Sequence, residues 1–237
     1  MTRIVAVVPA FDEAGAIASV VAGIHAFDPG IDVVVVDDGS TDATAAIASA
    51  AGAAVVRLPF NLGIGAAVQT GFRYALERDY DLAVRLDGDG QHDPAHLSRL
   101  LDPVAHDEAD VVTGSRFRDL DGGYRPPLAR RLGISWFARL VSLVSGQRVT
   151  DTTSGFQALN RKGIALFASD YPEVEATVLV LKHKLRLVEV PVEMREREHG
   201  SSSITFVRSL YYAVKVTLAL LVAMGRRYAV PSEEAPR

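Results

Sequence analysis

Two aspartates, Asp87 and Asp89, stand one glycine apart at the end of an apolar run, in the stretch LAVRLDGDGQHD that begins at Leu82. Hard divalent cations take oxygen ligands, and Mg²⁺ commonly sits between one or two carboxylates and the phosphates of a substrate. A carboxylate pair just beyond a parallel strand therefore suits transfer from an activated, phosphate-bearing donor, because ligands of open α/β sheets bind at that edge. Gly88 permits the bend between them, and Gln91, two residues on, adds a neutral oxygen, so the set reads as a site for Mg²⁺ or Mn²⁺. Taken alone, an Asp-x-Asp also fits a solvated turn. A zinc pair, His92 with His96, is disfavoured by Asp93-Pro94, which reads as an N-cap and first helical position and leaves His92 ahead of the helix.

A second acidic pair, Asp37-Asp38, ends the run VVVV and precedes Gly39-Ser40-Thr41-Asp42. One carboxylate suits hydrogen bonds from a nucleobase or ribose and the other a turn cap, while Ser40 and Asp42 allow a pure capping reading. Positive charge comes from Arg116 at a strand end, from Arg130-Arg131 ahead of an apolar segment, and from Arg195 and Arg197 ahead of a serine cluster. Guanidinium groups bind phosphate in a bidentate fashion, and the plainer alternative for each is solvated surface.

These residues need a scaffold that brings strand ends together. β-Branched runs at Ile4 to Val8, Asp32 to Val36, Ala54 to Arg57, Leu82 to Leu86 and Asp110 to Val112 alternate with alanine-rich segments of helical spacing. That alternation predicts a mostly parallel, Rossmann-like α/β sheet flanked by helices. A first helix is expected to begin near Glu13, a second to follow Ser40-Thr41-Asp42 and a third to follow Gly65. Polar clusters after three strands would then share one edge.

The chain has 237 residues, no cysteine and a net charge of -4. Its charge argues against general nucleic-acid binding, which needs basic excess, and the absence of cysteine removes thiolate metal sites. Pro9 interrupts the first apolar run before a signal-peptide core is complete, so a cytoplasmic catalytic part is expected, possible contact with the inner membrane face being peripheral. Residues 1–203 read as one catalytic domain, 204–228 as an amphipathic helix and 229–237 as a tail. Between Lys215 and Arg226 the uncharged run would cover only about 15 Å against a bilayer core of about 30 Å. That helix, and the segment 132–144 with Trp136, suit either a membrane interface or ordinary core packing. No Gly-x-Gly-x-x-Gly follows the first strand and no P-loop occurs, which disfavours dinucleotide and P-loop enzymes.

The motifs VVPAFDEAGAI, VVVVDDGSTDAT, NLGIGAAVQTGFRYA, RLDGDGQHDP, VTGSRF, TDTTSGFQALNR and VPVEMREREHGSSSI, in this order, resemble family 2 glycosyltransferases of the dolichyl-phosphate and polyprenyl-phosphate mannosyl- and glucosyltransferase branch. The resemblance implies a GT-A fold and inverting, metal-dependent transfer of a hexose from a GDP- or UDP-sugar to a polyprenyl-phosphate acceptor. By position it assigns the donor to Pro9, Ala10, Glu13, Asp37, Asp38, Asp87, Gly88 and Asp89. The metal falls to Asp87, Asp89 and Gln91, and donor or acceptor phosphate to Arg116, Arg131, Ser154, Arg195 and Arg197. The family's usual PxYNE reads PAFDE here, without the tyrosine hydroxyl. A phosphate acceptor needs no general base; a hydroxyl acceptor does, and Asp151 in TDTTSGF is then the candidate, its alternative being a turn built with Thr152, Thr153 and Ser154. Three other readings follow: transfer to a soluble or exopolysaccharide hydroxyl, a non-catalytic nucleotide-sugar-binding subunit, and association with a small membrane protein through 204–228.

Overall fold

The computed structural model describes residues 2–117, 142, 149–152, 154–171 and 176–195. Its strands are β1 (Ile4–Ala10), β2 (Asp32–Asp37), β3 (Ala54–Arg57), β4 (Leu82–Arg85), β5 (Val111–Ser115), β6 (Gln157–Asn160) and β7 (Leu187–Pro191). The helices are α1 (Ile17–Phe27), α2 (Thr44–Ala50), α3 (Ile64–Glu77), α4 (Leu97–Ala105), α5 (Arg161–Ser169) and α6 (Ala176–Lys182). One sheet runs β3-β2-β1-β4-β6-β5-β7, with β6 antiparallel to both its neighbours and every other pair parallel.

Alternate side chains of each strand point to opposite faces, so a sheet buried on both sides divides its apolar residues between two cores. Ala6, Val8, Val33, Val35 and Val84 pack under α1 and α4 through Ile17, Val21, Ile24, Leu97 and Leu100. Val5, Val7, Val34 and Ala83 face α3, α5 and α6, which supply Val68, Phe72, Ile164, Phe167 and Leu179.

Several boundaries differ from the sequence reading. The first helix starts at Ile17 rather than near Glu13, because the Glu13 carbonyl accepts from the amides of Ala16 and Ile17 in a preceding turn. The third starts at Ile64, one residue before Gly65. Asp42 accepts from the Thr44 amide at the start of α2 at 2.9 Å, whereas Ser40 makes no bond to that helix. The Ser40 hydroxyl accepts from the Asp12 amide, and the second Asp42 oxygen accepts from the Ala14 amide, tying the loop after β2 to the loop after β1. Strands β6 and β7 lie outside the runs singled out above, and β6 runs directly into α5. The segments 132–144 and 204–228 lie outside the described residues, Ser142 apart, and among the described residues no helix is long and apolar enough to cross a membrane.

The edge opposite the strand ends discussed below is closed by ionic contacts. The Arg186 guanidinium and amide both donate to Asp110, which also accepts from the Asn160 amide, while Arg186 pairs with Asp107 as well. The hydrogen bonds from Arg186, aided by Asn160, outweigh burial and hold the Asp110 carboxyl far below the ordinary carboxylate range. A depressed folded-state value stabilises the fold above the unfolded value of about 3.9 and loses that contribution as pH falls through the folded value. Asp110→Asn should therefore lower Tm at neutral pH, with the gap to the parent protein narrowing steadily in melts taken below about pH 4. A gap independent of pH would assign the loss to packing.

Candidate active site

Beyond the carboxyl ends of β1, β2 and β4 lies a pocket of about 290 Å³, lined by Pro9, Ala10, Phe11 and Glu13 from the β1 end, Asp38 after β2, and Asp87, Gly88 and Asp89 after β4. Asn61, Gly63, Ile64 and Ala67 at the start of α3 complete it. The sheet reverses its strand order about β1, which is where a crevice opens between loops that leave on opposite faces.

Each wall has a local cause. Both Asp38 oxygens are used by the chain itself, accepting from the amides of Leu62 at 2.8 Å and Gly63 at 2.9 Å, so this carboxylate moors the entry to α3. Asp12 sits in the left-handed region at φ 53° and accepts from the Thr41 amide at 2.8 Å, a conformation Asp tolerates better than most residues. Phe11 lines the pocket and is 41 % exposed, leaving an aromatic surface at its mouth.

The Asp87 side chain, one-third open to solvent, accepts from Arg85 at 3.0 Å. Burial pushes its carboxyl up, and the Arg85 guanidinium, with the field of Arg116, outweighs that and keeps it below the ordinary value. The Asp87 amide donates to His92 Nδ1 at 2.9 Å, which places the proton of the neutral ring on Nε2, 4.0 Å from Asp87 Oδ2. Burial holds this ring, stacked on Phe156, below the usual histidine value and hence neutral. His96 instead accepts from the Glu193 amide, so the two imidazoles serve different backbone groups. Asp89 accepts from the Gln91 amide at 3.0 Å and the Gly88 amide donates to the Pro9 carbonyl, which sets the bend between the aspartates.

Two carboxylates facing one cavity fit a hard divalent cation that completes its shell with diphosphate and water oxygens. Among the described residues no three His, Cys, Asp or Glu side chains converge to cage a metal by themselves.

Other expected residues lie elsewhere. Asp37 is fully buried behind the pocket, accepting from the Ser40 amide and Arg57. Gln91 does not line the cavity; its carbonyl accepts from the Arg195 amide, and the Arg195 side chain pairs with Asp93. Ser154 is buried and accepts from the Phe156 amide. Arg116 and Asp151 meet beside the site in a bidentate pair, Nε to Oδ2 at 2.7 Å and NH2 to Oδ1 at 2.9 Å. Arg131 and Arg197 lie outside the described residues. The sequence reading passed over Arg85, although an arginine inside LAVRL is a signal of a buried ion pair, and it weighed His92 only as a zinc ligand.

The model of the family described as glycosyl transferase family 2 matches residues 5–166. Polyprenol monophosphomannose synthase of Mycolicibacterium smegmatis is 34% identical over 218 residues, covering 86% of this chain and 81% of that protein. Undecaprenyl-phosphate mannosyltransferase of Micrococcus luteus is 33% identical over 218 residues, 86% and 88% of the two chains. In structure, glucosyl-3-phosphoglycerate synthase of Mycobacterium tuberculosis, crystallised with Mn²⁺, uridine diphosphate and glucosyl-3-phosphoglycerate, superposes with a TM-score of 0.71 at 21% identity, over 98% of this chain and 82% of that one. A further crystal of that enzyme holds Mg²⁺ with uridine diphosphate.

Proposed function

The chain belongs to glycosyl transferase family 2 and has the GT-A fold, and on that premise we propose that it transfers a hexose, with inversion, from a nucleotide-diphosphate sugar to the phosphate of a polyprenyl lipid. The undecaprenyl phosphate named for one relative and the polyprenol monophosphomannose named for the other support this acceptor. The observation that carries it within this chain is the state of Asp151. Both oxygens of this fully enclosed carboxylate are bonded to the Arg116 guanidinium, so it is badly placed to remove a proton. A phosphate oxygen is ionised near neutral pH and requires no base.

The nucleoside diphosphate enters the pocket between Glu13, Asp38 and the start of α3, with its base against exposed Phe11. Asp87 and Asp89 would hold Mg²⁺ or Mn²⁺, which when bound offsets negative charge on the diphosphate. Arg116 contributes further positive charge on the same side, its field already acting on Asp87. The acceptor oxygen attacks the anomeric carbon from the opposite face as the bond to the diphosphate breaks. The products are a glycosyl phosphate and a nucleoside diphosphate, with no proton transferred. Because a polyprenyl chain resides in a bilayer, the protein meets this acceptor at a membrane surface, through 204–228, 132–144 or a small membrane partner.

Labelled GDP-mannose, UDP-glucose and UDP-N-acetylglucosamine, each offered with Mn²⁺ and either undecaprenyl phosphate or undecaprenol, test the proposal. Label should enter the lipid fraction only with the phosphate. Transfer to the alcohol or to a soluble saccharide, with the phosphate inert, would falsify it in favour of hydroxyl glycosylation.

A further inference from the structure

A row of buried polar side chains crosses four strands one step beneath the rim. In register, Arg85 on β4 faces Gln157 on β6, Gln157 faces Thr113 on β5, and Thr113 faces Glu189 on β7. None is more than 6 % exposed. The equivalent row two residues deeper is Ala83, Leu159, Val111 and Leu187, all apolar and part of the core against α3, α5 and α6. Polar groups at such depth lower stability unless they are paired, and Gln157 Oε1 and Thr113 Oγ1 have no hydrogen-bond partner among the described residues. Local violations of this kind collect around functional sites. Both ends of the row reach the rim: Arg85 holds Asp87, and Glu189 holds the loop that carries Asp151.

The Glu189 contacts are specific. Its oxygens accept from the Thr150 amide at 2.9 and 2.8 Å, from the Thr150 hydroxyl at 2.8 Å and from the Asp151 amide at 2.9 Å. Because the single Thr150 hydroxyl proton is directed to Glu189, the Ser115 hydroxyl is the donor in its 2.7 Å contact with Thr150. The Phe117 amide in turn donates to Ser115 Oγ. Arg116 is thus fixed twice. Its backbone neighbours are tied to Glu189 through Thr150, and its guanidinium is gripped by Asp151, whose own amide ends on Glu189. Glu189 itself is buried and does not line the pocket.

We propose that Glu189 is a positioning residue for sugar transfer, fixing the Thr150–Asp151 backbone from β7 and so aiming Arg116 at the diphosphate side of the pocket. The role rests on the transfer reaction proposed above, while the mechanical link between Glu189 and Arg116 is measurable without turnover. Small misplacement of a charge-stabilising group lowers the rate by about ten- to a hundredfold while leaving binding at the remote nucleoside end intact.

Two experiments on the full chain decide it. In the first, hydrogen exchange on Glu189→Gln should quicken at the amides of Thr150, Asp151 and Phe117 while the core strands β1 and β2 stay protected. Unchanged exchange at those three amides, or a uniform rise across the sheet, overturns the proposal. In the second, transfer kinetics of Glu189→Gln, Arg116→Ala and the double variant are compared. The expected result is a kcat for Glu189→Gln reduced about ten- to a hundredfold, a donor KM within about twofold, and a double variant no slower than Arg116→Ala. Multiplying losses in the double variant overturn it, because Glu189 would then act independently of Arg116. If Glu189→Gln does not fold, Thr150→Val, which removes only the hydroxyl link, takes its place. Exchange should then quicken at the Phe117 amide while the Thr150 and Asp151 amides, still bonded to Glu189, stay protected. Unchanged exchange at Phe117 overturns the proposal, and the kinetic outcomes keep their meaning. Were the parent protein to transfer no sugar to any polyprenyl phosphate, the acceptor reading would fall while the exchange result still judged the link.

Discussion

Replacing Asp89 with alanine is expected to reduce kcat about a hundred- to a thousandfold while leaving the melting temperature close to that of the parent protein. The size follows from the reaction: negative charge accumulates on the leaving diphosphate, and loss of one preorganised stabilising group in such a site reduces rates by about 10²–10³. The stability expectation follows from position. Asp89 is only partly buried, in the loop after β4, and the bond its side chain accepts from the Gln91 amide is local to that loop. Thermal shift supplies a second readout. In the parent protein a nucleoside diphosphate should raise Tm further when Mn²⁺ is present, since only ligands that favour the native state do so. Asp89→Ala should keep the metal-independent part, which belongs to the pocket between Glu13, Asp38 and Gly63, and lose the increment due to Mn²⁺. Transfer within about threefold of the parent rate, or an intact Mn²⁺ increment, would remove Asp89 from the site.

The convergence of Glu13, Asp38, Asp87 and Asp89 was legible because each follows a short apolar run, and parallel strands with helical crossovers place all such ends on one edge. What each carboxylate does there was not legible. Asp37 and Asp38 are adjacent in sequence, yet strand alternation sends one into the protein toward Arg57 and the other to the pocket wall, where backbone amides 24 and 25 residues away meet it. The partners of Asp87 illustrate the same limit. Arg85 lies two residues before it and shares its face, a contact that alternation alone suggests; the bond from the Asp87 amide to His92 depends on a turn whose path no periodicity encodes. Glu189 is remote in the chain from Asp151, and the two meet because β7 pairs with β5, whose last residue Ser115 bonds Thr150. β6, antiparallel within an otherwise parallel sheet, is no shorter than β3 or β4, but its residues QALN include none that is β-branched and run straight into α5, so no strand signal marks it.

Gly39→Ala should be among the most destabilising single-methyl additions in the chain, and it links the fold to the pocket. Gly39 adopts φ +73°, a region that costs an L-residue about 1–2 kcal/mol. A Cβ there would also lie 2.6 Å from the Phe60 carbonyl carbon, 2.7 Å from its Cα and 2.8 Å from the Asn61 nitrogen. These are backbone atoms and cannot swing aside, so the loop entering α3 has to move. That loop delivers the Leu62 and Gly63 amides to Asp38, and a shift strains both hydrogen bonds together with the wall made by Asn61 and Gly63. The combined loss is about 3–5 kcal/mol against a total stability of about 5–15 kcal/mol, a fall in Tm of about 10 °C. Gly52→Ala separates the two causes. Gly52 has φ +97°, but the nearest atom to its Cβ is His25 Cε1 at 3.7 Å, so it bears backbone strain without the clash and should cost only about 1–2 kcal/mol. Equal losses in the two variants would mean that left-handed strain alone sets the cost at Gly39. A larger loss at Gly39, accompanied by weaker nucleoside-diphosphate stabilisation that Gly52→Ala does not share, would tie the β2 turn directly to the shape of the donor pocket.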